Sequence, residues 1–246
     1  GDCSPVVVDD TVYVSDSGYA YALDAFSGAL KWSYFMREGV TYNSPAVVNG
    51  IFYVGCEGDL FYALNASTGT PIWTCDIGPS HNFTPVVVNG VVYAVSANHG
   101  VFALDANTGA KIWNYPISTG MGSSPAVVMG IVYLALNSGT ICALNASSGL
   151  GLWSYSIGID GTASSPAIAN GILYIKGING YLNAFGKAVN SSISLQPMLC
   201  LAGTTITISG SGFSAGATLT ATIDGTAVAL SNEHVDNLGH ASATFT

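Results

Sequence analysis

Short apolar runs punctuated by glycine-bearing polar turns fill the first three quarters of the chain, and they recur in one phase. Pro45-Ala46-Val47-Val48 opens one such unit as a short strand whose leading proline sacrifices no ladder N–H. Asn49-Gly50 then supplies a two-residue hairpin turn, because a type I′ turn needs positive φ at both central residues. Ile51-Phe52-Tyr53-Val54 returns as a second strand, Leu60 to Asn65 forms a third, and Asn65-Ala66-Ser67-Thr68-Gly69 turns into a fourth, Ile72-Trp73-Thr74-Cys75. Four strands, each linked to the next by a tight turn, make an antiparallel meander.

The same meander repeats. Ser4-Pro5, Ser44-Pro45, Thr84-Pro85, Ser124-Pro125 and Ser165-Pro166 stand 40, 40, 40 and 41 residues apart. Tyr13, Tyr53, Tyr93, Tyr133 and Tyr174 keep those intervals, and Trp32, Trp73, Trp113 and Trp153 mark the last strand of the first four units. The hairpin turn reappears as Asn89-Gly90, Met129-Gly130 and Asn170-Gly171, with Asp9-Asp10 in the first unit. Four strands in about 40 residues is the dimension of one propeller blade. The expected fold is therefore all-β: a β-propeller of about five four-stranded blades, the last incomplete, over residues 1–188. Strands covered on both sides, such as Val86-Val87-Val88, should read as continuous apolar runs, and each Trp should wedge between its own blade and a neighbour. A solenoid is the structural alternative, but it calls for shorter coils or helices.

The pattern Ser-Pro-Ala-Val-Val-Asn-Gly, then Tyr-Ala-Leu-Asp-Ala-x-Thr-Gly, then Trp, resembles the pyrroloquinoline-quinone-like propeller repeat from Ser4 to about Ala188. That resemblance implies the fold. Members include quinoprotein dehydrogenases, outer-membrane assembly scaffold lipoproteins and secreted surface proteins, and those of known structure commonly have eight blades. After Gly186 the tandem signal stops, and the composition shifts toward Thr, Ser and Ala from Ile193 onward. Gly203 to Phe213 is similar to the second strand and turn of an immunoglobulin-like module of the plexin and transcription-factor type. On that resemblance residues 189–246 form such a module lacking its last strands, and an unpaired strand edge accepts a strand from another chain.

Composition narrows the function classes. Five Lys and Arg against 14 Asp and Glu give a formal charge of −9, and only 8% of residues are charged, where a typical soluble domain carries about 25%. So few basic residues cannot track a phosphate backbone, which excludes nucleic acid as a partner. No apolar run approaches the roughly 18 residues of a membrane-spanning helix. Gly1-Asp2-Cys3 shows no secretory signal and no lipobox precedes Cys3. Cys3, Cys56, Cys75, Cys142 and Cys200 are scattered without a Cys-x-x-Cys pair; buried thiols are expected, with one or two disulfides left open.

Candidate chemistry is thin. The resemblance to quinoprotein enzymes implies a Trp floor, a Ca²⁺ held by acidic and amide side chains, a catalytic Asp and often a pair of adjacent cysteines. Here no cysteines are adjacent, the Trp residues belong to the repeating strand, and Asp24 and Asp105 sit in hairpin turns. No cofactor, metal site or catalytic residue is expected, and His81, His99, His234 and His240 lack ligand spacing. Asn65, Asn82, Asn145 and Asn190 are Asn-x-Ser/Thr glycosylation candidates, Asn82 the poorest because Pro85 follows its Thr84.

The expected function is that of a non-enzymatic, secreted or cell-surface structural or adhesive glycoprotein. It would be a fibre subunit that self-associates by donating strands to unpaired edges. The alternatives are a propeller that binds carbohydrate or a surface protein, an envelope-assembly scaffold, and a fragment of a quinone-dependent dehydrogenase.

Overall fold

The computed structural model describes residues 3–36, 43–80, 83–117, 120–157, 164–177 and 182–185, and six strands beyond them. Among these there is no helix; the chain is all-β. It divides into two compact units, Gly1–Gly186 and Lys187–Thr246.

In the first unit, β1 (Val6–Val8), β2 (Thr11–Asp16), β3 (Tyr19–Asp24) and β4 (Leu30–Phe35) pair in chain order as one antiparallel sheet. The second sheet is β5 (Ala46–Val48), β6 (Ile51–Gly55), β7 (Leu60–Asn65) and β8 (Pro71–Asp76). The third is β9 (Val86–Val88), β10 (Val91–Ser96), β11 (Gly100–Asp105) and β12 (Lys111–Tyr115). The fourth is β13 (Ala126–Val128), β14 (Ile131–Ala135), β15 (Thr140–Asn145) and β16 (Gly151–Ser156). A fifth has three strands among the described residues, β17 (Ala167–Ala169), β18 (Ile172–Lys176) and β19 (Leu182–Phe185). These sheets are propeller blades.

Local chemistry sets the meander. Both turn residues of the first hairpin have positive φ although neither is glycine, Asp9 at 46° and Asp10 at 57°. Asp tolerates that region because its short carboxylate can bond the nearby backbone. In the fourth sheet the same slot holds Met129 at φ 48°, where a long side chain gains no such relief. The register between third and fourth strands slips at one place in every complete blade, at Ala22/Leu23, Ala63/Leu64, Ala103/Leu104 and Ala143/Leu144. Each slip is a bulge whose extra residue precedes the blade's tryptophan: Lys31, Ile72, Ile112 and Leu152.

Successive blades pack face to face, with their first strands side by side. Tyr13, Ala22 and Trp32 of the first meet Phe52, Val54, Tyr62 and Leu64 of the second. Tyr53, Ala63 and Trp73 of the second meet Val92, Ala94, Phe102 and Leu104 of the third. Tyr93 and Ala103 meet Val132, Leu134 and Leu144, and Ala135 and Ile141 meet Leu173 and Ile175. The burial falls on the second and third strands of each blade, whereas Val86–Val88, expected to be doubly covered, is only half-buried. The reason is topological: a first strand has one paired neighbour and lies at its sheet's edge.

The second unit holds an antiparallel sheet ordered β20 (Ser192–Gln196), β21 (Ile206–Ser211), β25 (Ala241–Phe245), β24 (Ser231–Val235). A separate hairpin joins β22 (Ala221–Ile223) to β23 (Thr226–Val228).

Candidate functional site: the grooves between blades

A single latch repeats between blades. Trp32 Nε1–H donates to the Ala66 carbonyl at 2.8 Å, Trp73 to Ala106 at 3.0 Å and Trp113 to Ala146 at 2.9 Å. The hydroxyls of Tyr13, Tyr53 and Tyr93 donate to the same three carbonyls at 3.2, 3.0 and 3.2 Å. Each alanine therefore takes two bonds from the blade before it. Burial pushes the Tyr53 and Tyr93 phenols up, which keeps both hydroxyls protonated as donors. The sequence offered a signal for this latch: an Ala-x-x-Gly turn lies 33 or 34 residues beyond each of these three tryptophans.

Above the latch a groove opens on the hairpin-turn side. Between the first and second blades it is lined by Val8, Asp9, Thr11, Tyr13, Lys31 and Asn49 among others, with a volume of about 600 Å³. Between the third and fourth blades the matching groove, about 620 Å³, is lined by Val88, Asn89, Val91, Tyr93, Ile112 and Met129 among others. These residues correspond one to one, so the backbone is common and the chemistry differs. In the first groove the bulge residue Lys31 donates to Thr11 Oγ1 at 2.8 Å and to the Asp10 carbonyl at 3.2 Å, and lies 3.6 Å from Asp24. In the other groove Ile112 takes the place of Lys31, Val91 that of Thr11 and Met129 that of Asn49, and Met129 is 93% exposed. A bulge re-aims its side chain out of the ladder, which is how the residue beside each tryptophan reaches the groove. The pattern of alternation alone does not reveal these grooves.

The other singled-out residues hold turns and sheets. Asp24 Oδ1 accepts the Ser27 N–H at 2.9 Å and its hydroxyl at 2.8 Å, which holds its carboxyl down at about 2, helped by the Phe26 N–H and Lys31. Asp105 is likewise held below the usual carboxylate range by the Thr108 hydroxyl and N–H. Asn65 and Asn145 make the same turn with Oδ1 accepting from Ser67 and Thr68, and from Ser147 and Ser148. Asn82 and Asn190 lie outside the described residues, as do His81 and His240. His99 is exposed on a loop beside the Ile77 carbonyl, and Tyr133 packs on Trp153 at 6.0 Å while Tyr174 pairs with Ala167. Cys3, Cys56, Cys75 and Cys142 form no disulfide with one another.

The described residues do not fit the quinone implied by the repeat. Trp32, Trp73 and Trp113 are committed between sheets, and Asp24 and Asp105 spend their carboxylates on turn N–H groups. Among the described residues no three His, Cys, Asp or Glu side chains gather to hold a metal, and no helix is long and apolar enough to cross a membrane.

Residues 36–231 match the sequence profile of a family described as outer membrane protein assembly factor BamB. A curated relative, the outer membrane protein assembly factor BamB of Moranella endobia (strain PCIT), is 39% identical over 71 residues. That match spans 28% of this chain and 18% of the relative. Among solved structures, BamB from Moraxella catarrhalis superposes with a TM-score of 0.63 at 17% identity, covering 100% of this chain and 94% of that one. The computationally designed protein Ika8 gives 0.67 at 14% identity over 74% of this chain and 57% of its own. A quinohemoprotein alcohol dehydrogenase from Pseudomonas putida HK5 gives 0.60 at 22% identity over 76% and 42%. At such identities these structures establish the propeller fold alone.

Two expectations are corrected. The family match replaces the adhesive fibre subunit, and nothing in these relatives supports a secreted, extracellular or glycosylated fibril protein. Self-association through strand edges falls with it. The last strand of residues 189–246, β25, is interior to its sheet, bonded to β21 on one side and β24 on the other. With its profile matched over most of its length, the chain belongs to the family of the outer membrane protein assembly factor BamB.

Proposed function

We propose that this chain is a non-enzymatic propeller scaffold that works at the outer membrane, outside the cytoplasm, in the assembly of outer-membrane proteins. The family match over residues 36–231 carries this reading. The groove between the third and fourth blades is its contact surface for a polypeptide partner. Val88, Val91, Ile112, Val127 and Met129 there offer apolar side chains on a rigid two-sheet frame. Met129 holds a backbone conformation that other repeats give to Asn or Asp, and strain kept at an exposed position points to use.

The test is a deletion of the gene in the organism that makes the chain, with folded β-barrel protein in the outer-membrane fraction as the readout. Folded barrels should fall, and the chain carrying Ile112→Lys and Met129→Lys should fail to restore them while unfolding at the wild-type midpoint. Barrel levels indifferent to the deletion would sink the reading. Residues 189–246 are read as an immunoglobulin-like module, supported by the antiparallel sheet and hairpin there. Two cooperative unfolding transitions that separate on cleavage near residue 189 are expected, and a single one counts against it.

A further inference from the structure

Met129 breaks the pattern of its own turn position. The first hairpin of the other blades holds Asp9, Asn49, Asn89 and Asn170 there, at φ of 46°, 50°, 51° and 52°, against 48° for Met129. Asp and Asn suit that region because a short polar side chain bonds the nearby backbone, and a thioether does not. The turn itself is anchored like the others. Gly130 accepts the Ala146 N–H at 2.8 Å, as Gly50 accepts that of Ala66 and Gly90 that of Ala106 at 2.9 Å. Chemistry at the Met129 side chain therefore leaves the backbone of the hairpin in place.

Among the described residues Met129 is also the most accessible sulfur-bearing side chain. It is 93% exposed, whereas Met36 and Met121 are 6% and 5% exposed. Cys56 and Cys142 are buried, and burial pushes the Cys75 and Cys142 thiols up, away from the reactive thiolate. Met129 stands in the groove with Val88, Val91, Ile112 and Val127, and none of the residues lining that groove is charged. A polar atom added at Met129 would change the character of the whole surface.

We propose that Met129 is an oxidation site, and that its sulfoxide closes the groove between the third and fourth blades to an apolar segment of a partner polypeptide. The oxidant is a peroxide. The sulfur lone pair attacks one oxygen of hydrogen peroxide, the O–O bond breaks, and the other oxygen leaves as water with both hydrogens. Sulfur gives up two electrons and the peroxide takes them. The product carries a strong acceptor where the partner would bury it, and an acceptor buried without a donor opposes binding. A methionine sulfoxide reductase, drawing two electrons from thiols, restores the thioether. The closing of the groove rests on its being the contact surface proposed above; the oxidation of Met129 rests on exposure alone.

The purified chain is treated with hydrogen peroxide, and each methionine peptide is followed by mass spectrometry. Met129 should gain one oxygen about tenfold faster than Met36 and Met121, with the urea midpoint unmoved while it alone has reacted. Equal rates overturn the proposal, as does a lowered midpoint, which would make the oxidation damage to the fold. Nile red, which fluoresces in apolar surroundings, then reports on the groove. Its affinity should fall about fivefold on oxidation of Met129 or on Ile112→Lys, and peroxide should not change its affinity for Met129→Leu. A chain that binds no Nile red, or binds it equally after oxidation, overturns the proposal. In the deletion strain carrying either the wild-type chain or Met129→Leu, folded barrels are compared before and after a peroxide pulse, each strain against itself. They should fall only with the wild-type chain, and equal falls overturn the closing of the groove. Barrels indifferent to the deletion sink the outer-membrane reading instead, and leave the peptide rates and the dye to decide on Met129.

Discussion

The turns Asp24–Gly28 and Asp105–Gly109 are the same object in two settings. Each begins with an Asp whose carboxylate caps the N–H groups two and three residues on, and each ends with a glycine at φ near 70°. One lies under the indole of Trp73, and over the glycine of the other no described residue comes within 4 Å of where a Cβ would stand. The backbone does not register the difference. The turn is therefore set by its own five residues, and the blade before it adds packing without adding shape. A propeller of such units gains stability at the junctions between repeats, as expected for arrays in which each unit touches only its neighbours.

Removing the indole tests that division most strongly. Trp73→Ala deletes a buried side chain and the donor to the Ala106 carbonyl, and should cost about 3–5 kcal/mol in urea unfolding. Trp153→Ala removes a ring that is 40% exposed, so well under half that loss is expected. Equal losses would mean that the junctions are not where the stability lies.

The glycines come next. Alanine at either Gly28 or Gly109 must adopt positive φ, at about 1–2 kcal/mol. At Gly109 the new methyl would also lie 2.6 Å from Trp73 Cε3, and overpacking of that kind adds about 1–3 kcal/mol. Gly28→Ala should thus shift the urea midpoint measurably less than Gly109→Ala. Matching shifts would place the whole effect in the backbone and leave the covered turn no different from the open one.

Much of this was legible in the chain because it is local. Positive φ at Asn49-Gly50, Asx capping at Asp24 and the spacing of the tryptophans are each written within a few residues or in the period itself. What was not legible depends on partners distant in sequence. Lys31 reads as an ordinary strand residue, and only its pairing partners Leu23 and Ala22, which skip it, make it a bulge that points into a groove. The Ala66 carbonyl carries no side-chain signature, though it receives both Tyr13 and Trp32. Charge sets solubility and association, and the same propeller serves unrelated tasks, so neither composition nor fold alone leads to the function. Residues such as Met129 and Ile112 can be read as a surface only once two blades stand side by side.

The smallest expected effect concerns acid. With its pKa at about 2 in the fold, against about 3.9 for a free Asp side chain, Asp24 binds its proton more weakly folded than unfolded. The stabilisation this gives is complete above the unfolded value and is lost as pH falls through about 2. Asp105 is shifted the same way, by the Thr108 hydroxyl and N–H. Asn65 and Asn145 build the same turn with nothing to titrate. Asp24→Asn should therefore keep the turn, leave the unfolding midpoint near neutral pH almost unchanged, and flatten its fall between about pH 4 and 2. Asp105→Asn should do likewise under its indole. If the covered site alone responds, Trp73 governs the carboxylate as well as the packing, and the two turns are not the same object after all.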